Sequence, residues 1–127
     1  MSKVLTKPAP SSPEQAVLGT ALMRAAERLA VPARTLGAVI GLSEATLSRL
    51  KNGRFNLEQG TKPFELAVLF VRLFRSLDAI TGGEETIARA WLKNRNSALN
   101  ATPIDHIRTV TGLIDVITYL DARRALI

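Results

Sequence analysis

The residues best suited to chemistry lie between Arg34 and Arg54. Ser43, Glu44, Thr46, Ser48, Arg49 and Asn52 fall on the outward side of one helix if Leu47 and Leu50 face inward. Such a face suits the major groove of DNA, where side chains near the start of a recognition helix reach base edges. Arg49 is the candidate for a bidentate contact to guanine. Ser43 and Ser48 are candidates for base or phosphate contacts. Lys51, Arg54 and Arg34 are better placed on phosphates, which position a protein without reading sequence. The same residues would also decorate an ordinary helical hairpin with a solvated polar face. Catalytic chemistry has little to work with. His106 is the single histidine, and its neighbour Asp105 does not face it on a helix. There is no cysteine nucleophile and no metal-ligand cluster. Gly82-Gly83 lacks the Lys-Ser/Thr of a phosphate-binding loop. No catalytic residue, metal site or cofactor is expected.

The elements that must hold the Arg49 face are legible nearby. Ala33 to Ile40 reads as a short helix with Leu36, Val39 and Ile40 inward. Gly41 supplies the positive φ of a tight turn, and Leu42 fills the angle between two helices. Ser43 is positioned to N-cap the second helix, and Glu44 sits in its first turn, where the helix dipole favours an acid. Asn52-Gly53 is a stop signal. The whole is a helix-turn-helix.

Charge agrees with a polyanionic partner. The net charge is +6 over 127 residues. Residues 1–62 hold nine Lys/Arg against four Asp/Glu, and residues 63–127 hold eight against seven. The excess is therefore gathered around the helix-turn-helix. Without cysteine there is no disulfide frame, which is compatible with a reducing cytoplasm. No charged and then apolar leader opens the chain, and the longest apolar run, Leu66 to Val71, is too short to span a bilayer. A cytoplasmic protein without membrane contact is the expectation.

Taken in order, residues 1–12 form a tail with Lys3, Lys7, Pro8 and Pro10. Ser12-Pro13-Glu14-Gln15 opens a helix to about Leu29, with Val17, Leu18, Ala21, Leu22, Ala25 and Leu29 at helical spacing. Phe55 to Lys62 is a loop, and Thr61 caps a helix from Lys62 to about Ile80. That helix is apolar nearly all round, with Glu65, Arg72, Arg75 and Ser76 as a narrow polar stripe. A helix of this kind is buried on more than one side. It is expected both at the centre of the fold and, through Phe64, Val68, Val71 and Phe74, at a homodimer interface.

Gly82-Gly83 is the sharpest break and separates residues 13–81 from a smaller helical unit, 82–127. Glu84-Glu85 opens a helix with Ile87, Ala88, Trp91 and Leu92 on one inward face. Asn94 to Asn100 is a loop anchored by Leu99, and Thr102-Pro103-Ile104-Asp105 starts another helix. Thr111-Gly112 is expected to break that helix. Leu113 to about Arg124 is the last, with Leu113, Val116, Ile117 and Leu120 inward.

Trp91-Leu92, the loop Asn94–Asn100 with Leu99, Thr102-Pro103-Ile104, Thr109-Val110-Thr111-Gly112 and the closing helix resemble the C-terminal domain of the Xre/MbcA/ParS antitoxins. In that family this domain follows an Xre-like helix-turn-helix, as it does here, so the resemblance runs from about Glu14 onward. It implies an all-α fold in which a helix-turn-helix domain precedes a small toxin-binding domain. It also implies the antitoxin of a type II toxin–antitoxin pair. Such a protein neutralises a RES-domain, NAD-consuming toxin and, as a dimer, represses its own operon at operator DNA. Relatives cover the toxin's active-site entrance with C-terminal residues. Here Tyr119, Arg123, Arg124, Leu126 and Ile127 are the toxin-facing candidates, with a frayed helix end as the other reading of Leu126-Ile127. One departure is Leu99-Asn100-Ala101, where the family often has glycine after the leucine. The other reading is a dimeric helix-turn-helix repressor whose second half only oligomerises or senses a ligand. The fate of Tyr119 to Ile127 separates the two.

Overall fold

The structure is a computed structural model and describes residues 12–126. The expected tail, Ser12 apart, and the toxin-facing candidate Ile127 lie outside the described residues. Ser12 Oγ accepts from the Gln15 backbone N–H at 3.2 Å, and Pro13 takes the first position of α1 (Pro13–Arg28). Proline costs nothing there, because that N–H has no intrahelical partner. After Pro32 come α2 (Ala33–Ile40) and α3 (Glu44–Lys51). Gly41 joins them at φ 77°, a left-handed conformation that a side chain would strain.

The segment between α3 and α4 (Lys62–Ile80) is pinned by Leu57, whose side chain is buried although nothing in its polar surroundings predicted an anchor. Thr61 caps α4, accepting from the Phe64 N–H at 3.4 Å. Then follow α5 (Glu85–Lys93), the single-turn α6 (Pro103–His106) and α7 (Val110–Arg124). Among the described residues the only other regular feature is an isolated antiparallel bridge between Asn96 and Ala101.

α4 is the central helix, as its composition demands. α1 and α2 pack on it from one side and α7 from another. One apolar core runs from Leu22 and Leu29 through Leu36, Ile40 and Leu47 to Phe70, Leu77, Leu92 and Leu120. The Gly82-Gly83 turn therefore reverses the chain without dividing the core. Polar groups tie the halves as well. Arg89 of α5 donates to the carbonyls of Arg28 and Glu27, at 2.8 and 3.3 Å, where α1 runs out of intrahelical donors. Arg28 in turn pairs with Glu85 at 3.0 Å.

Three expectations are corrected. Thr111-Gly112 breaks no helix: Thr109 caps α7, accepting from the Gly112 N–H at 3.0 Å, and both residues lie in its first turn. Glycine is needed there for packing, since an added Cβ would stand 1.7 Å from the His106 carbonyl oxygen. Ser76, assigned to the polar stripe, is fully buried. Ile87, assigned to an inward face with Ala88, Trp91 and Leu92, is 49% exposed, because α5 buries only Ala88 and Leu92. Thr102 precedes α6 as expected but makes no side-chain cap bond.

Candidate functional site

The α3 surface is built from its N-terminus upward. Ser43 Oγ accepts from the Thr46 backbone N–H at 3.1 Å and donates to Thr46 Oγ1 at 2.9 Å. Thr46 Oγ1 also accepts from Arg49 Nη2 at 2.9 Å. Ser43 and Thr46 are thus spent on holding the helix start and the Arg49 side chain, so Arg49 is presented in an ordered pose. Leu47 is buried beneath them. Glu44, Ser48 and Lys51, at i, i+4 and i+7, form one edge of α3 and line a hollow against α1 with Arg24 and Glu27. Arg49 and Asn52 stand on the open face with Ala45, one turn before Arg49, a residue that sequence reasoning passed over. Arg34 and Arg54 are exposed on the flanks. An exposed methyl beside an ordered guanidinium offers one group for thymine and one for guanine.

The expected dimer residues divide. Phe64, Val68 and Val71 line an apolar groove of about 740 Å³ between α4 and α1, with Val17, Leu18 and Ala21. Val17 was expected inward but is 65% exposed at this groove. Phe74 lies elsewhere, under the Arg28 guanidinium at 5.6 Å from the ring centre.

The toxin-facing candidates divide too. Tyr119 and Arg123, one turn apart on α7, meet directly: Arg123 Nη1 donates to the Tyr119 hydroxyl at 3.2 Å, with its guanidinium over the ring. Tyr119 stacks on Trp91 of α5 at a centroid distance of 6.2 Å. Arg124 lies a further 100° round the helix and turns to the other side. There it donates to the buried Ser76 Oγ at 3.4 Å and borders the α1–α4 groove. Beside it Asp121 accepts from Ser76 Oγ at 2.8 Å and pairs with Arg72. Burial alone would raise the Asp121 carboxyl. The hydrogen bonds from Ser76 and Arg72, with the charges of Arg72 and Arg124, outweigh it and hold the group below its ordinary value. Leu126 is exposed.

The Asn94–Asn100 loop closes through the Asn96–Ala101 bridge, with Asn96 Oδ1 accepting from the Leu99 N–H at 3.1 Å. Asn100 holds φ 54°, so the departure from the family pattern replaces glycine with the side chain that best tolerates a left-handed backbone. His106 meets Asp115 at 3.1 Å, across the α6–α7 approach, and does not meet its neighbour Asp105. Among the described residues no cluster of His, Cys, Asp and Glu could hold a metal ion, and no helix is long and apolar enough to cross a membrane.

Comparison with known proteins follows the same division. Residues 14–72 match the antitoxin Xre-like helix-turn-helix domain, and residues 76–125 match the antitoxin Xre/MbcA/ParS C-terminal toxin-binding domain. No curated protein matches the chain. Among solved structures, a chain of the M. tuberculosis MbcT–MbcA toxin–antitoxin complex has a similar fold. Its TM-score is 0.66 at 20% identity, covering 87% of this chain and 96% of that one. The two family matches meet inside α4 and leave only 73–75 between them, so the chain belongs to the Xre/MbcA/ParS antitoxin family.

Proposed function

We propose that this protein neutralises a RES-domain, NAD-consuming toxin and represses its own operon through α3. The observation that carries the reading is the pairing, in one chain, of an Xre-like helix-turn-helix with a C-terminal toxin-binding domain. The similarity of fold to a chain of a toxin–antitoxin complex supports it. No catalytic role is assigned to the chain itself. Arg49 reads guanine, Asn52 and Ala45 flank it, and Arg34, Lys51 and Arg54 contact phosphates. A homodimer, joined across the groove of Phe64, Val68 and Val71, presents two such helices to paired half-sites. Tyr119, Arg123 and Leu126 face the toxin; Arg124 belongs to the joint between α7 and α4. The site of action is the cytoplasm, where both DNA and NAD are found.

The test is co-expression of the chain with the product of the adjacent gene. Restored growth and restored cellular NAD, with a stoichiometric complex on purification, is the expected result. Binding of upstream DNA with no protein partner would instead leave a dimeric repressor, the second reading of the sequence.

A further inference from the structure

The side of α5 and α7 away from the core carries more apolar and aromatic surface than the fold uses. Trp91 is only partly buried, and its exposed edge forms a ridge. On one side of the ridge is a hollow of about 270 Å³, walled by Ile80, Ile87, Tyr119 and Arg123. On the other is a hollow of about 310 Å³, walled by Ile87, Ala90, Asn94 and Arg95. Ile87 borders both and is 49% exposed. The linings hold two cations, Arg95 and Arg123, and no acid.

We infer that the Ile87–Trp91–Tyr119 face, flanked by Arg123 and Arg95, is the seat on which the protein partner of the C-terminal domain docks. The partner presents an apolar side chain to each hollow and a carboxylate to the arginines. This rests on the antitoxin reading and places its contact, adding Ile87 and Trp91 to the α7 residues.

Three observations favour that occupant. The hollows, of about 270 and 310 Å³, are small for a ligand site and are divided by the ridge, which suits single side chains projecting from a protein surface better than one enclosed small molecule. Their composition is that of an interface centre, where Trp, Tyr and Arg supply most of the binding energy. The charge argues against a second copy, because two such faces brought together would oppose arginine to arginine without an acid in either lining. The face also lies inside the segment that matches a toxin-binding domain. The Trp91–Tyr119 stack, at an interplanar angle of 18°, fixes both rings before binding, so little side-chain entropy is lost on docking.

The test titrates the full chain, by calorimetry, with the purified product of the adjacent gene. Ile87→Glu is the main variant, because Ile87 is half in solvent on a helix and its replacement leaves the core intact. Arg123→Glu tests the charge. Each should weaken Kd by roughly thirtyfold or more. The oligomeric state and binding to upstream DNA should be unchanged; the thermal midpoint should hold for Ile87→Glu and fall by roughly a few degrees for Arg123→Glu, which loses its contacts with Tyr119 and puts an acid in the last turn of α7. Trp91→Ala should weaken binding at least as much, but it removes packing and is read only if its midpoint holds. If the unaltered chain binds and both Ile87→Glu and Arg123→Glu bind within threefold of it, the face is wrong and the antitoxin reading stands. If Ile87→Glu converts a dimer to a monomer, the face is an interface between copies and the inference falls. If the unaltered chain does not bind, the antitoxin reading and this inference fall together.

Discussion

The joint between α4 and α7 can be tested by a double-mutant cycle at Ser76 and Asp121. Ser76 is fully buried, and its hydroxyl donates to Asp121 Oδ1 at 2.8 Å. A hydrogen bond to a charged acceptor contributes about 1.5–3 kcal/mol. The Arg72–Asp121 pair adds little, because the Arg72 side chain is 60% exposed; pairs of that kind contribute about 0.2–1 kcal/mol. Asp121→Ala should therefore cost about 2–3 kcal/mol. At roughly 4 °C per kcal/mol for a domain of this size, the melting point falls by roughly 8–12 °C. Ser76→Ala should cost about 1–2 kcal/mol, since water and Arg72 still reach the carboxylate. The double variant should cost no more than Asp121→Ala alone, a coupling of about 1–2 kcal/mol. The acid limb gives a second check. The folded Asp121 carboxyl lies below its ordinary value of 3.8, so its contribution is complete above that value and is lost as pH falls through the lowered one. The gap between wild type and Asp121→Ala should be constant above about pH 5 and close in stronger acid. Denaturant unfolding with both variants and the double decides the matter. Costs that simply add, within about 0.5 kcal/mol, would refute the joint.

Gly112→Ala should lower the melting point even though alanine favours helix by about 1 kcal/mol, because its Cβ would stand 1.7 Å from the His106 carbonyl oxygen. Differential scanning calorimetry reads it, and a rise would mean that α6 and α7 separate freely. Thr46→Val keeps the shape at Thr46 but removes the acceptor for Arg49. On duplexes selected from a random pool it should weaken discrimination at the guanine proposed to meet Arg49 by about 0.5–1.5 kcal/mol, against about 1–3 kcal/mol for Arg49→Ala, with non-specific binding retained. Val68→Glu, at a residue 45% exposed in the α1–α4 groove, should turn a dimer into a monomer without unfolding it; sedimentation velocity reads the result.

The helix-turn-helix was legible because every local signal agreed. Gly41 has the positive φ assigned to it, Ser43 makes its cap bond, and Leu47 is buried. The starts of α1 and α4 were equally clear, since Ser12 and Thr61 each precede a proline or a proline-containing first turn. The failures share a cause: they depend on what lies opposite in space. Thr111-Gly112 reads as a break along the chain, and only the approach of the His106 carbonyl shows why glycine stands within a helix. Ser76 in a stripe with two arginines reads as solvated, and only Asp121, 45 residues on, gives its hydroxyl a reason to be buried. Ile87 sits four residues before Trp91 and so reads as core. The stripe on α5 is wider than the strip its neighbours cover, and the surplus became surface.

That surplus bears on how the two proposed activities can be separated. The core passes through α4 without interruption, and the α4 face that carries Ser76, with Leu69, Leu73 and Ile80 beside it by helical spacing, is the face α7 covers. Cutting the chain at Gly82-Gly83 would strip that cover and remove Arg89 of α5, which donates to the Arg28 carbonyl at the end of α1. Cutting after Leu120 would remove Asp121 and open the joint. Loss of function in either fragment would report unfolding as readily as a missing contact. Arg49 and Ile87, by contrast, both project from elements whose inner faces stay packed. Substitution at those two surfaces can therefore assign DNA binding and partner binding separately, where deletion of either half cannot.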